Sequence, residues 1–272
     1  MLKTRVLTAL VLLAVILPIL FLNNFPAFAI IATLFFAAAS WENSRLCNNV
    51  HPIVIAAFWT LIFVFILANG NASAATLLFA SCVTLWLLVF TPLLASGLPS
   101  LQSVLSRFLT GFYGIAILGC FVAIVDSFEQ SPLFLLSVMA IVWIADIGAY
   151  FSGKAFGRHK LAPSISPGKT WEGVLGGWIA VILVGFISTR FTAMHDTFAT
   201  RLLGHWGLIG FLTCMTLLVL ASVAGDLFES QFKRRAGMKD SSNLLPGHGG
   251  VLDRIDALIP VLPLAVLINI GL

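Results

Sequence analysis

PLFLLSVMAIVWIADIGAYF runs from Pro132 to Phe151 and carries a single charge, Asp146, in 20 residues. Roughly 20 mostly apolar residues cross the hydrocarbon of a bilayer as a helix, which closes all its backbone hydrogen bonds within one segment. The stretch is therefore read as a membrane span. Asp146 stands out inside it, because an ionisable side chain at membrane depth is costly and faces either a cavity or a partner cation. With Gly148 beside it, Asp146 is taken as a residue that lines a site.

Similar runs recur on both sides of this stretch. Nine candidates lie near residues 6–22, 25–40, 53–69, 74–95, 108–125, 132–151, 173–190, 206–225 and 255–272. Hydrophobic residues form 60% of the 272-residue chain and charged residues only 10%. Soluble domains carry about 25% charged residues, so a globule of this composition could not cover its surface with polar groups. No ten-residue alternation suggests a β-barrel. The fold expected is all-α: a polytopic membrane helix bundle of about nine transmembrane helices with two functional loops. It forms one integral membrane domain over residues 1–272, with mostly structural spans in 1–140 and a catalytic half in 141–272. The first run follows Lys3 and Arg5 and precedes Ala27-Phe28-Ala29. It is longer than a signal-peptide core and more apolar sequence follows at once, so it is expected to stay as an uncleaved span.

The net charge of +4 reflects topology rather than a nucleic-acid partner. Sorting the connections by side puts Lys3, Arg5, Arg45, Arg107, Lys154, Arg158, Lys160, Lys169, Lys233, Arg234, Arg235, Lys239 and Arg254 together and leaves Arg190 and Arg201 opposite, 13 of 15 basic residues on one side. Cytoplasmic loops are enriched in Lys and Arg, so that side is expected to face the cytoplasm. Cys47, Cys82, Cys120 and Cys214 form no C-x-x-C pair; they read as small apolar residues, not as a disulfide framework or a zinc site.

Residues 1–140 are almost featureless hydrocarbon. The polar chemistry sits in two loops on one side, 152–172 and 226–256. In the second, Asp226, Glu229, Ser230 and Lys233 are spaced by three or four and share a face if the eighth span continues as a helix. Pro246-Gly247-His248-Gly249-Gly250 is a loop of little bulk whose backbone N–H groups could approach a phosphate. Asp253 and Asp256 then lie on one face as the ninth span begins. Acids there suit the helix dipole, but together with Asp226 they also suit a hard divalent cation that binds carboxylates and substrate phosphates.

Ser230-Gln-Phe232-Lys233-Arg234, then Lys239-Asp240, then Leu245 through Asp256 resembles, over about 27 residues, the signature of the phosphatidate cytidylyltransferase or CDP-diglyceride synthase family. The many-span layout is similar to that family over the whole chain. The resemblance implies that CTP and phosphatidic acid give CDP-diacylglycerol and pyrophosphate, with Mg²⁺ held by Asp226 and Asp253 and with Asp256 close by. Some members have a paired-metal centre that includes a monovalent cation. Glu229 and Asp146 complete the candidate metal set. Lys233, Lys239 and His248 join the two aspartates as candidate catalytic residues. Arg234, Asp240, Gly249, Gly250 and Arg254 are candidate substrate contacts.

The first loop contains Ser166-Pro167-Gly168-Lys169-Thr170-Trp171-Glu172-Gly173. Gly168-Lys169-Thr170 is not a phosphate-binding P-loop, since Pro163 occupies the position of the first glycine and a span rather than a strand precedes it. The stretch does resemble a second one common in the family, which makes Ser166, Lys169 and Thr170 candidates for nucleotide phosphates. Glu172 either binds metal or caps the seventh span. The expected partners are CTP, phosphatidic acid and membrane lipid, with no nucleic acid and with a homodimer as the expected assembly, in a bacterial inner membrane with the site facing the cytoplasm. The alternatives are a transporter or channel, whose polar residues would be spread along a pathway, and a related lipid enzyme such as CDP-archaeol synthase.

Overall fold

The computed structural model describes the backbone of residues 2–272 and the side chains from Val6 onward except at positions 9 and 12. The side chains of Lys3 and Arg5 thus lie outside the described residues. The order is α1 (Leu2–Phe21), α2 (Phe25–Leu46), α3 (Pro52–Asn69), α4 (Ala72–Leu85), a π-helical turn (Trp86–Phe90), α5 (Thr91–Ser96), α6 (Val104–Gln130), α7 (Pro132–Phe156), β1 (Lys160–Ala162), β2 (Ser166–Thr170), α8 (Trp171–Ser188), a 3₁₀ turn (Thr192–Met194), α9 (Phe198–Arg235), α10 (Leu252–Ile255) and α11 (Leu258–Ile270).

Among the described residues, seven helices are long and apolar enough to cross a membrane: α2, α3, the continuous Ala72–Ser96 run, α6, α7, α8 and α9. The expected count of about nine is therefore not met in full. Val6–Phe21 and Leu258–Ile270 are apolar but shorter than that group. Short polar residues start the helices. Asn24, Asn71, Ser103, Ser131, Thr170 and Thr197 each accept a backbone N–H two or three residues on, which satisfies a donor that the first turn leaves open. Pro52 and Pro132 occupy first positions, where a missing N–H costs nothing.

The sheath of the bundle is lipid-like and its axis is packed. α6 has 72% of its apolar window buried, against 11% for α3. α11 contributes Ile259, Val261, Leu262 and Ala265 at no exposure. Phe90, Tyr113, Phe228 and Phe232 interlock with ring centroids 4.8–5.8 Å apart, tying the π turn, α6 and α9. α7 and α8 meet along a glycine seam: a Cβ on Gly148 would lie 3.0 Å from the Gly177 Cα, and one on Gly173 2.9 Å from the Ala149 carbonyl oxygen. Small residues let membrane helices touch backbone to backbone.

α9 breaks at Gly207 (φ 63°, ψ −164°), then runs straight through the expected end of its span to Arg235. At that end Arg235 donates to the Pro99 carbonyl, the Ser106 hydroxyl and the Cys47 sulfur. Thr8 donates to the Pro246 carbonyl. The N-terminal helix and the connections after α2, α5 and α9 thus gather at one end of the bundle, as the charge sorting requires.

The first of the two expected loops is a correction. α7 extends to Phe156, and residues 160–170 form an antiparallel hairpin with Lys160 opposite Thr170 and Ala162 opposite Ser166. His159 closes its base: its N–H and its Nδ1 both meet the Glu172 carboxylate, the latter at 2.6 Å.

Candidate active site

A cleft of about 500 Å³ opens between α7, β2, α8 and α9. Its lining is mixed: Asp146, Lys154, Ser166, Lys169 and Asp226 are charged or polar, and Ala145, Val174, Val219 and Val223 are apolar. Lys169 reaches across from β2 to form an ion pair with Asp226. Asp146 lies on α7, four residues before Tyr150, and both line the cleft. Ser166 and Thr170 both line the cleft; Thr170 is also buried and accepts the Gly173 N–H at 3.1 Å to start α8. Glu172 is spent on His159 and is not among the cleft residues. It closes the hairpin.

The helical face expected on α9 exists. Ser230 Oγ donates to Asp226 Oδ1 at 3.3 Å, and Lys233 forms an ion pair with Glu229 one turn back. Glu229 is fully buried, so its charge is held by Lys233 rather than by solvent, as a buried acid requires. Lys233 Nζ also donates to Asp253 Oδ1 at 2.6 Å. Asp253 Oδ2 accepts three more donors: Ser241 N–H at 2.9 Å, Ser241 Oγ at 2.9 Å and Gly250 N–H at 2.7 Å. Burial alone would raise the Asp253 carboxyl, but the Lys233 hydrogen bond and these backbone donors hold it below the ordinary carboxylate value.

Asp256 has the opposite environment. Its Oδ1 accepts the Ala257 N–H at 2.7 Å. Burial first, and the charge of Asp226 second, push its carboxyl up to about 7, against a partial pull from Lys233 and Lys169. Gly225 permits this proximity. A Cβ there would strike the Asp256 carbonyl oxygen and sit 2.9 Å from the Pro260 ring, so only glycine brings α9 this close to the start of α11.

The glycine loop was read as a source of N–H donors for phosphate, and the structure assigns several of them elsewhere. Gly250 N–H serves Asp253, His248 N–H goes to the Leu245 carbonyl at 2.8 Å, and Leu245 N–H goes to the Gly249 carbonyl at 2.9 Å. Gly249 (φ 83°) takes the left-handed turn that brings this loop back on itself. The His248 Nδ1 is buried and meets no hydrogen-bond partner among the described residues. Arg254 is exposed and its Nε donates to the His248 carbonyl at 3.1 Å. Arg234 is exposed and donates to the Met238 carbonyl at 3.4 Å, closing the helix end. Lys239 and Asp240 are exposed on the outer part of the loop.

One participant was missed by the sequence reading. Glu42, at the end of α2, is fully buried and accepts Ser242 Oγ, Val251 N–H at 3.0 Å and Leu252 N–H at 2.7 Å. It lies in the half expected to be mostly structural. An acid at the close of an apolar run, Trp41-Glu42-Asn43, was the available signal.

A membrane-embedded helix bundle with a cleft lined by both charged and apolar side chains, and with a cluster of acids and lysines at one end, suits an enzyme that joins a lipid to a water-soluble phosphate compound. The chain belongs to the cytidylyltransferase family, whose sequence profile matches residues 3–270. It is 38% identical to the phosphatidate cytidylyltransferase of Haemophilus influenzae over 97% of this chain and 96% of that protein. It is 39% identical to that of Pseudomonas aeruginosa over 97% of this chain and 95% of that protein. A Staphylococcus epidermidis phosphatidate cytidylyltransferase matches at 44% identity over 48% of this chain and 46% of its own.

Proposed function

We propose that this chain transfers the cytidylyl group of CTP to phosphatidic acid, giving CDP-diacylglycerol and pyrophosphate. The observation that carries the reading is one cleft, in a chain of this family, lined both by Val174, Val219 and Val223 and by Asp146, Lys169 and Asp226. An amphiphile with acyl chains and a phosphate head fits such a mixed lining. The concentration of charge at one end of the bundle weighs against a transport pathway.

In the reaction, a phosphate oxygen of phosphatidic acid attacks the α-phosphorus of CTP. A new P–O bond forms, the bond from the α-phosphorus to the bridging oxygen breaks, and its electron pair leaves with pyrophosphate. The nucleophile is already an anion and needs no strong base. The protein's work is to align three charged groups and to balance their charge. Lys169, freed from Asp226, would meet incoming phosphate. Lys233 would hold Asp253 and Glu229 in register. Arg254, Arg234 and Lys239 border the loop where the leaving pyrophosphate exits, with His248 and Gly249 beside it. Asp240, beside Lys239 on the exposed part of the loop, would contact substrate there.

Mg²⁺ fits the residues present. Asp226, Asp253 and Asp256 offer hard oxygen donors, and burial first and the charge of Asp226 second push the Asp256 carboxyl up to about 7, a crowding of acids that a divalent cation relieves. Among the described residues no group of three or more His, Cys, Asp or Glu forms a ready metal cage. Mg²⁺ commonly takes one or two carboxylates and completes its shell with water and substrate phosphate. Asp226 and Asp256 would hold it, with Asp253 reached by exchange with Lys233, and Asp146 and Glu229 further off; a monovalent cation could share the acids. Bound there, the ion would neutralise phosphate charge and polarise the α-phosphorus. The bacterial relatives and the one-sided Lys and Arg support a bacterial inner membrane with this end toward the cytoplasm, and we take the protein to act as a homodimer.

The test is purified protein in detergent micelles with phosphatidic acid, CTP and Mg²⁺, following pyrophosphate and the nucleotide lipid together. Equal yields of both, abolished by chelator, are expected. Failure to form the nucleotide lipid from several phosphatidic acids would overturn the assignment.

A further inference from the structure

The acid that the site borrows from the far half of the chain is Glu42. It sits on α2 beside Asn43, whose Nδ2 donates to the Thr110 carbonyl on α6 at 3.3 Å. The carboxylate is therefore mounted on two packed helices and not on a loop. From there it reaches the 241–252 segment. Oε1 accepts Ser242 Oγ and Val251 N–H, and Oε2 accepts Leu252 N–H. Asp253 takes the neighbouring amides, Ser241 and Gly250. Two carboxylates thus divide four backbone N–H groups between them, and the peptide between is clamped from both faces.

Gly250 records how tight the clamp is. A Cβ at that position would collide with both Ser241 Oγ and Glu42 Oε1. The same peptide leads directly into Asp253, whose Oδ1 lies 2.6 Å from Lys233 Nζ. Displacing Val251 and Leu252 would move Asp253 with them.

We propose that Glu42 is a positioning residue for the cytidylyl transfer, fixing the peptide that aims Asp253 at Lys233. The proposal rests on the function given above. Glu42 does not line the substrate cleft; it acts through the amides of Val251 and Leu252. Its requirement is chemical and specific. Both oxygens accept from donors, so the isosteric amide cannot serve: Glu42→Gln keeps the volume and turns an NH₂ toward a backbone N–H. Glu42→Asp keeps two acceptors on a stem one methylene shorter. A buried side chain present only for packing would tolerate glutamine better than aspartate; a clamp built on two acceptors predicts the reverse.

Two measurements on the full-length protein in micelles decide it. The first is amide hydrogen exchange followed by mass spectrometry, which needs no activity. Glu42→Gln is expected to accelerate exchange in peptides covering 241–254 while peptides from α7 and α8 keep wild-type rates. The second is steady-state kinetics, where kcat should fall about 10- to 100-fold, the usual cost of losing a group that orients a reacting one, with KM for phosphatidic acid unchanged. Glu42→Asp should recover part of both signals. Wild-type exchange at 241–254 with wild-type kcat in Glu42→Gln overturns the proposal. So does exchange that rises throughout the protein, which marks a general loss of packing. If Glu42→Gln does not survive extraction, Ser242→Ala, which removes one of the three donors, reports through the same two readouts: wild-type values in both overturn the proposal, and local acceleration with lowered kcat supports it. A wild-type protein without transferase activity would count against the assigned function, while the exchange result would still judge the clamp.

Discussion

Lys233 stands between two acids from different helices: its Nζ lies 2.6 Å from Asp253 Oδ1 and pairs with Glu229 one turn back on α9. Side-chain exposure is 12% for the lysine, 4% for Asp253 and none for Glu229. Water therefore screens this triad little, and the position of each member depends on the other two. Charge at the site is organised before any phosphate arrives.

Asp253→Asn should be the most damaging conservative change. The amide offers an NH₂ where Asp253 now accepts Lys233 or Ser241. Activity should fall on the order of 10²- to 10³-fold, the scale of losing one preorganised electrostatic contact. Lys233 keeps Glu229, so the fold should lose only about 1–3 kcal/mol. Pyrophosphate release and thermal unfolding in detergent, measured on one preparation, separate the two effects; a variant with near-normal turnover contradicts the site assignment.

Lys169→Gln tests the cleft from the other side. Lys169 and Asp226 are 24% and 29% exposed, so their pair contributes about 0–1 kcal/mol to stability and the melting temperature should barely move. If the lysine meets nucleotide phosphate, kcat/KM for CTP should drop about 10- to 100-fold, within the range of single charge-assisted contacts. A CTP titration at fixed phosphatidic acid reads this directly. A shifted melting temperature with unchanged CTP kinetics would make the lysine structural.

Asp256 gives a pH dependence of defined sign. Its folded carboxyl titrates at about 7, above its ordinary value of 3.8. The folded state thus holds a proton that the unfolded chain releases. The stability this gives is fully present below about pH 4 and is lost as pH rises to 7. Metal binding must expel the same proton. The Mg²⁺ concentration for half-maximal activity should therefore fall between pH 6 and 7, by up to about tenfold per unit, and level off above. Mg²⁺ titrations at pH 6, 7 and 8 should show this slope in the wild type and a flat response in Asp256→Asn.

Gly225→Ala examines packing rather than charge. The added methyl meets the Asp256 carbonyl and the Pro260 ring, backbone and a rigid ring that cannot swing aside. Overpacking of this kind costs about 1–3 kcal/mol. It should also part Asp226 from Asp256, so activity should fall more than stability does. Unfolding and turnover measured side by side would show it; a fully active, equally stable alanine variant would mean the helices are not held in contact.

The sequence was most informative where periodicity or length carries the signal. Apolar runs placed the spans, and the three-and-four spacing of Asp226, Glu229, Ser230 and Lys233 correctly put them on one helical face. The hairpin at 160–170 was not legible. Its strands are three and five residues long, and Ser166-Pro-Gly-Lys-Thr has neither alternation nor strong strand formers. The helix of Pro132 was taken to end at Phe151 because polar residues follow, yet α7 continues to Phe156, the charged Lys154 being tolerated once the helix leaves hydrocarbon. The loop glycines suggested phosphate, since nothing local shows that the N–H groups of 250–252 already have partners. Gly250 N–H is taken by nearby Asp253, but the acceptor of Val251 and Leu252, Glu42, is 209 and 210 positions away, and no spacing rule reaches that far.

That separation also sets a timetable. A ribosome adds about 5–20 residues per second, and Leu252 follows Glu42 by 210 positions. Glu42 therefore enters the bilayer on the order of 10–40 seconds before the amides that will cap it are made. Through that interval it must be kept by water, lipid headgroups or the insertion machinery. The catalytic end closes only when nearly the whole chain has been synthesised, so a nascent or truncated protein is an unfinished bundle with a bare acid at its edge, unable to begin transfer early.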